Sequence, residues 1–160
     1  MTEKRKSRLR KSAIVATTCA GLVGGFEGLR LVAYPDPATK GPPWTVCYGE
    51  TAGVKPGDRY TVEQCRTMLV ESLEKYALAV ERCVNRPMPD TTYISFVSLT
   101  YNIGEGAFCR SSVARLYNDG DHRGACDAML RFNRAAGVVF PGLTRRRERE
   151  REWCLRGASL

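Results

Sequence analysis

Glu27 ends an apolar stretch, and Asp36 follows nine residues later in a loop rich in proline and glycine. Thr45 comes next, in the run Trp44-Thr45-Val46-Cys47-Tyr48-Gly49, which reads as a short strand. Two carboxyl groups in unlike surroundings separate into an acid and a base at neutral pH. One then protonates a leaving oxygen while the other stays ionised, and that is the minimum equipment for cleaving a glycosidic bond. Taken alone, a Glu and an Asp at this spacing occur in many chains, and a Glu at a helix end is ordinarily a solvated charge. The argument therefore rests on the whole string in order and on further motifs downstream.

The string Glu27-Gly28-Leu29-Arg30-Leu31-Val32-Ala33-Tyr34-Pro35-Asp36 resembles the T-even and lambdoid phage lysozymes, muramidases of the endolysin type (glycoside hydrolase family 24). Their pattern is Glu, eight residues, Asp, then a Thr. The Thr falls on Thr45 if the loop from Pro37 to Pro43 carries a short insertion; Thr39 is the competing assignment. Residues 95–104 and 106–112 are similar to the family's central helix and turn, and 124–127 and 142–148 to its late helices. The resemblance runs from about Phe26 to the C-terminus. One departure is Glu50, where many members carry His after the Tyr-Gly pair.

This resemblance implies an α+β, lysozyme-like fold, with a small β lobe, a helical lobe and a cleft between them. It implies hydrolysis of the β-1,4 bond between N-acetylmuramic acid and N-acetylglucosamine in peptidoglycan, by a monomer without metal or cofactor. Glu27 would be the general acid, Asp36 the ionised partner and Thr45 the residue that holds water. Arg146 would reach Glu27, and Asn102 of the central helix would join the substrate-binding set. Trp44, Tyr48 and Tyr101 are candidates for stacking on sugar rings, or for the core. The resemblance also implies disulfides Cys47 with Cys65, Cys83 with Cys109, and Cys126 with Cys154. Two rival classes are a wall-binding module without catalysis and a lytic transglycosylase, which uses one Glu and no water. The presence of both carboxylates argues against the first, and Asp36 and Thr45 argue against the second.

The 160 residues suffice for one core. Net charge is +8, and much of it lies at the start, where Lys4, Arg5, Lys6, Arg8, Arg10 and Lys11 face only Glu3. A basic chain favours anionic partners such as wall polymer or a membrane surface. Without a helix-turn-helix, zinc-finger or aromatic-basic motif, nucleic acid is the weaker choice. The seven cysteines contain no Cys-x-x-Cys and His122 is the only histidine, which disfavours structural zinc and suits a disulfide framework. That framework points to an oxidising compartment. Each bridge closes a loop of roughly 20 to 30 residues, worth on the order of 3 kcal/mol in the chain-entropy model. Cys19 is the odd one, either a free thiol able to exchange with a nearby bridge or a small buried hydrophobe.

Basic residues 1–11 precede a mildly apolar stretch, residues 12–26, with the logic of an export signal. No good cleavage site follows, and cleavage after Gly25 would strip the helix leading to Glu27. As a helix the stretch would span about 22 Å, short of the roughly 30 Å hydrocarbon core. Gly21, Gly24 and Gly25 weaken insertion further. A weak, uncleaved export segment is similar to that of the signal-anchor-release endolysins of the family. The chain then divides into a basic N-terminus with weak anchor, 1–26, and a catalytic domain, 27–160. The expected location is the periplasmic face of the host inner membrane, then the periplasm. The alternatives are a cleaved signal peptide and a cytosolic basic tail before an ordinary core helix.

These residues need elements to hold them. Prolines and glycines break the chain into strands and turns from Glu27 to Gly57. Thr61-Val62-Glu63-Gln64 is a capping box, which predicts a helix to about Cys83. Asp90 is the expected cap of the next helix, with Ile94, Val97 and Tyr101 as its inward stripe. Ser111 begins a short helix, Asp121 another to about Ala135, and Thr144 caps the last, over 145–155. The alternating charges of 145–152 read as a solvated face for all its arginines but one.

Overall fold

The computed structural model describes residues 4–158, and the architecture is the α+β arrangement expected. Two short helices start the chain, α1 (Arg8–Lys11) and α2 (Ala13–Glu27). Ser12 caps α2 by accepting the Val15 N–H. The stretch expected as an anchor is thus helical here, and its Val15, Cys19, Ala20 and Val23 are buried in the same core as the rest of the chain. Among the described residues no helix is long and apolar enough to cross a membrane.

At Gly28 the backbone takes φ +75°, a conformation that costs a side chain and suits glycine. This turns the chain from α2 into β1 (Arg30–Pro35), which pairs antiparallel with β2 (Trp44–Cys47), Tyr34 opposite Thr45. A bridge from Val32 to Arg59 extends this lobe.

The capping box is formed in full. Gln64 N–H donates to Thr61 Oγ1 at 3.1 Å and Thr61 N–H to Gln64 Oε1 at 2.8 Å. Helix α3 (Val62–Cys83) follows, burying Cys65, Leu69, Leu73, Ala77 and Val80 at helical spacing. Helix α4 (Asp90–Ile103) departs from the expected stripe: every residue from Thr92 to Thr100 is buried, so it is the axis of the helical lobe, enclosed on all faces. Within the helix, Thr100 donates to the Phe96 carbonyl and Ser95 to that of Thr92. Asp90 lies in the first turn, with Pro89 in the cap position. Helices α5 (Glu105–Cys109), α6 (Ser112–Asn118) and α7 (His122–Ala128) wrap one end, where Phe96 meets the rings of Phe108 and Tyr117.

Two expectations about the C-terminal third are corrected. The helix from Asp121 ends at Ala128, not near Ala135; a 3-10 turn and the hairpin β3 (Arg134–Ala135) and β4 (Val138–Val139) follow. Ala136 and Gly137 both have positive φ, the signature of a two-residue hairpin turn. The last helix, α8, begins at Pro141, a favoured first-turn residue, and runs to Ala158. Thr144 does not cap it: its hydroxyl donates back to the Phe140 carbonyl. Helix α8 packs along α4.

All three disulfides are present with the pairing the resemblance implied, Cys47–Cys65, Cys83–Cys109 and Cys126–Cys154. They tie β2 to α3, α3 to α5, and α7 to α8. Cys19 is free and buried.

Candidate active site

Glu27 is the last residue of α2, and the turn at Gly28 leaves its side chain about one quarter exposed. Arg146 Nη1 donates to Glu27 Oε1 at 2.6 Å. The Arg146 guanidinium stacks 4.7 Å from the centre of the Phe26 ring. Its Nε donates to Glu150 Oε1 at 3.2 Å. Glu150, fully buried, also receives the Ser98 hydroxyl at 2.6 Å and pairs with Arg147, which in turn donates to Asn102 Oδ1. One chain of bonds therefore runs from Arg147 and Glu150 in the core through Arg146 to Glu27. Burial pushes the Glu150 carboxyl up, against the opposing pull of Arg147, Ser98 and Arg146. Arg147 and Glu150 correct the expectation of a solvated face: two of the arginines, 146 and 147, are buried.

The pocket beside Glu27 has a volume of about 550 Å³. Its wall includes Glu50, Ser72, Tyr76, Tyr101 and Asn102. Tyr101 meets Tyr76 edge to face at 5.2 Å. Burial, then the charges of Glu27 and Glu50, push the Tyr101 hydroxyl up to about 12, so it remains a hydrogen-bond donor. Glu50 was noted in the sequence only as a departure from the family pattern. Its Oε2 accepts the Ser72 hydroxyl at 2.7 Å, while its Oε1 is buried without a partner among the described residues. Burial, with Glu71 adding to it, raises the Glu50 carboxyl above its ordinary value.

Asp36 and Thr45 lie on the β1–β2 hairpin and do not line this pocket. Asp36 Oδ1 accepts the N–H groups of Ala38 and Thr39 at 2.8 and 3.0 Å. This turn fixes the carboxylate in direction. Thr39 spends its hydroxyl inside the loop, donating to the Pro42 carbonyl at 2.8 Å and accepting the Gly41 N–H. Thr45, half-buried, keeps its hydroxyl free of other protein groups among the described residues. Trp44 is half-buried where β2 meets Pro35. Tyr48 is corrected as a sugar-stacking candidate. It is buried against Gly24 and faces a separate groove between α2 and α3.

No group of side chains suited to holding a metal ion occurs among the described residues. What the arrangement offers is a carboxyl group with one oxygen held by Arg146 and the other, Oε2, unpartnered among the described residues at a polar pocket.

Comparison with known proteins bears on this geometry. The sequence profile of the phage lysozyme family matches residues 24–150. The SAR-endolysin of bacteriophage PS119 is 38% identical over 146 residues, covering 91% of this chain and 86% of the relative. P22 lysozyme, in a variant form, superposes with a TM-score of 0.79 at 31% identity, covering 87% of this chain and 96% of that one. The muramidase domain of SpmX from Asticaccaulis excentricus gives a TM-score of 0.77 at 30% identity, covering 96% and 99% of the two chains.

Proposed function

Since the chain belongs to the phage lysozyme family and is an endolysin that hydrolyses peptidoglycan, we propose that Glu27 is the general acid that cleaves its β-1,4 glycosidic bond between N-acetylmuramic acid and N-acetylglucosamine. The observation that carries this role is the Arg146–Glu27 contact at the mouth of the pocket. Arg146 fixes Oε1 and so aims Oε2, which donates its proton to the leaving oxygen. Asp36, held in its turn by two backbone N–H groups, activates water or stabilises the oxocarbenium-like charge. Thr45 holds that water with its unengaged hydroxyl, and Thr39, already committed to its loop, does not. An inverting course needs the carboxyl groups roughly 6.5 to 9.5 Å apart when substrate is bound. Tyr101 and Asn102 border the pocket and contact the sugar; Trp44 extends the surface along the hairpin.

Residues 12–26 act as an uncleaved signal anchor. They hold the chain in the host inner membrane with its catalytic domain outside, and then release it into the periplasm as a monomer. What supports this is the short, glycine-containing segment behind a basic start, the three disulfides, and the likeness to a relative named SAR-endolysin.

Mass spectrometry of digested peptidoglycan tests the reaction. Reducing ends that appear with the parent and vanish with Glu27→Gln support it. Products ending in 1,6-anhydro sugars reveal a transglycosylase, and an absence of products reveals a binding module.

A further inference from the structure

At the end of α2 opposite Glu27, the chain preceding that helix is bound closely. Ser7 and Leu9 are fully buried. Ser7 donates its N–H to Glu74 Oε1 at 2.8 Å and its hydroxyl to Glu74 Oε2 at 2.5 Å. Arg8 donates its N–H to Glu81 Oε1 at 2.7 Å. The same Glu81 oxygen receives the Tyr93 hydroxyl at 3.0 Å, and that hydroxyl receives the Leu9 N–H at 3.3 Å. The Arg8 guanidinium donates to the Met88 carbonyl at 2.6 Å, pairs with Asp90 and lies over the Tyr93 ring. Three successive backbone N–H groups, a hydroxyl and a guanidinium thus all find acceptors on α3, α4 and the segment between them.

This is more than a basic tail resting on acidic surface. Exposed ion pairs contribute little, but here the backbone itself is read and Leu9 enters the core. Burial, then the Glu81 charge, push the Tyr93 hydroxyl up, which keeps it protonated as the donor linking Glu81 to the bound segment. The acceptors belong to α3 and α4, elements that lie wholly within the part of the chain expected to face outward. The donors belong to the basic start, which an anchored chain would keep on the other side of the membrane.

We propose that Glu74, Glu81, Tyr93 and Asp90 form a receptor for the chain's own Ser7-Arg8-Leu9 segment, a latch that captures the N-terminus after release and fixes α2 so that it presents Glu27. The inference rests on the anchor reading for its role in release, and on geometry alone for its role in holding α2. While residues 12–26 cross the bilayer, the receptor and its ligand are on opposite sides and the latch is open. Once the segment leaves the membrane, the two meet within one molecule, at the high effective concentration of an intramolecular partner. The latch then opposes return of the segment to the bilayer. Helix α2 is held at both ends, by the receptor at its start and by Arg146 at Glu27.

The test uses the full chain with Glu74→Ala and Glu81→Ala combined, and separately Tyr93→Phe, which removes only the linking hydroxyl and guards against a folding defect in the first. Hydrogen exchange on purified soluble protein is the first readout. Exchange across residues 9–23 should quicken by about tenfold or more in the double variant, as expected when several buried hydrogen bonds are lost, and less in Tyr93→Phe. The axis helix α4 should keep its protection from Ser95 onward. Unchanged exchange across residues 9–23 in both variants overturns the latch. The second readout is transfer from the membrane to the soluble fraction after a pulse of synthesis. It should slow several-fold in the double variant. Faster exchange with unslowed transfer overturns the capture role. A parent chain that never enters the membrane fraction removes the anchor reading, while the exchange result still decides whether the receptor holds α2.

Discussion

Arg146 joins Glu27 to Glu150, donating Nη1 to the first at 2.6 Å and Nε to the second at 3.2 Å. One guanidinium thus connects a pocket carboxyl to a fully buried one, and its planar fork makes both contacts at once. The ammonium of lysine is a point charge on a flexible stem and cannot. Arg146→Lys should retain the fold, lower wall clearing by about tenfold or more, and leave binding to insoluble wall intact. Glu150→Ala is a different case, because it strands Arg147 in the core. Breaking a buried pair costs roughly 3–5 kcal/mol. Thermal unfolding should show a large drop for Glu150→Ala and a small one for Arg146→Lys.

The two threonines near Asp36 should separate cleanly. Thr45→Ala removes a hydroxyl that no protein group among the described residues uses, so the fold should be unaffected while clearing falls by about one to two orders of magnitude. Thr39→Ala removes two hydrogen bonds internal to the loop and should cost less than about threefold. Clearing assays at matched protein concentration compare them. Equal activity of Thr45→Ala and the parent would remove Thr45 from the mechanism.

Glu50 makes stability depend on pH. Burial raises its carboxyl in the folded chain. As pH rises through the ordinary carboxylate value of about 4.3, the unfolded chain gives up this proton first. The folded state is therefore favoured below that value, and the advantage is lost as pH climbs through the raised folded value. Glu50→Gln keeps the shape and removes the titration. Its melting temperature should exceed the parent's at neutral pH, and the difference should shrink towards about pH 3. A difference that stays constant with pH would show that Glu50 does not titrate in this way.

Gly21 and Gly25 have open space where a Cβ would stand, whereas a Cβ at Gly24 would lie 3.0 Å from the Tyr48 ring. Leucine at 21 and 25 is therefore compatible with the folded enzyme, and leucine at 24 is not. Each Leu favours the bilayer by roughly half a kcal/mol on an insertion scale. Gly21→Leu with Gly25→Leu should hold the chain in the membrane fraction, yet give normal clearing when detergent-extracted and refolded. Prompt appearance of that variant in the soluble periplasm at unchanged mass would refute the weak-anchor reading.

Legibility in the sequence followed locality. The capping box at Thr61 and Gln64 depends on four adjacent residues, and the helix it predicts ends at Cys83 as expected. Glu27 stood out because motif order carries information that a lone carboxyl does not. The hairpin at 134–139 was missed because its turn uses Ala136-Gly137 in place of the more telling Asn-Gly. The buried roles of Arg147 and Glu150 were missed because a charge run on a helix looks alike whether its partners are solvent or α4. Even burial around α4 was hidden for a related reason: Ser95, Ser98 and Thr100 read as polar positions, but their hydroxyls bond within the lobe. Tyr48 illustrates the limit for aromatics, since composition cannot say which groove a ring faces.

The enclosure of α4 has a consequence for biosynthesis. One wall around this axis is α8, the last helix of the chain. The ribosome therefore delivers α4 well before the wall that seals it, and the nascent chain must travel with its axis unsealed. On the proposed export route this order is useful, because translocation requires an unfolded thread. The Arg146–Glu27 contact cannot form before α8 is made, as Arg146 arrives only with that helix. A chain stopped before Pro141 should remain loosely folded, bind a dye that reports exposed apolar surface, and leave cell walls intact.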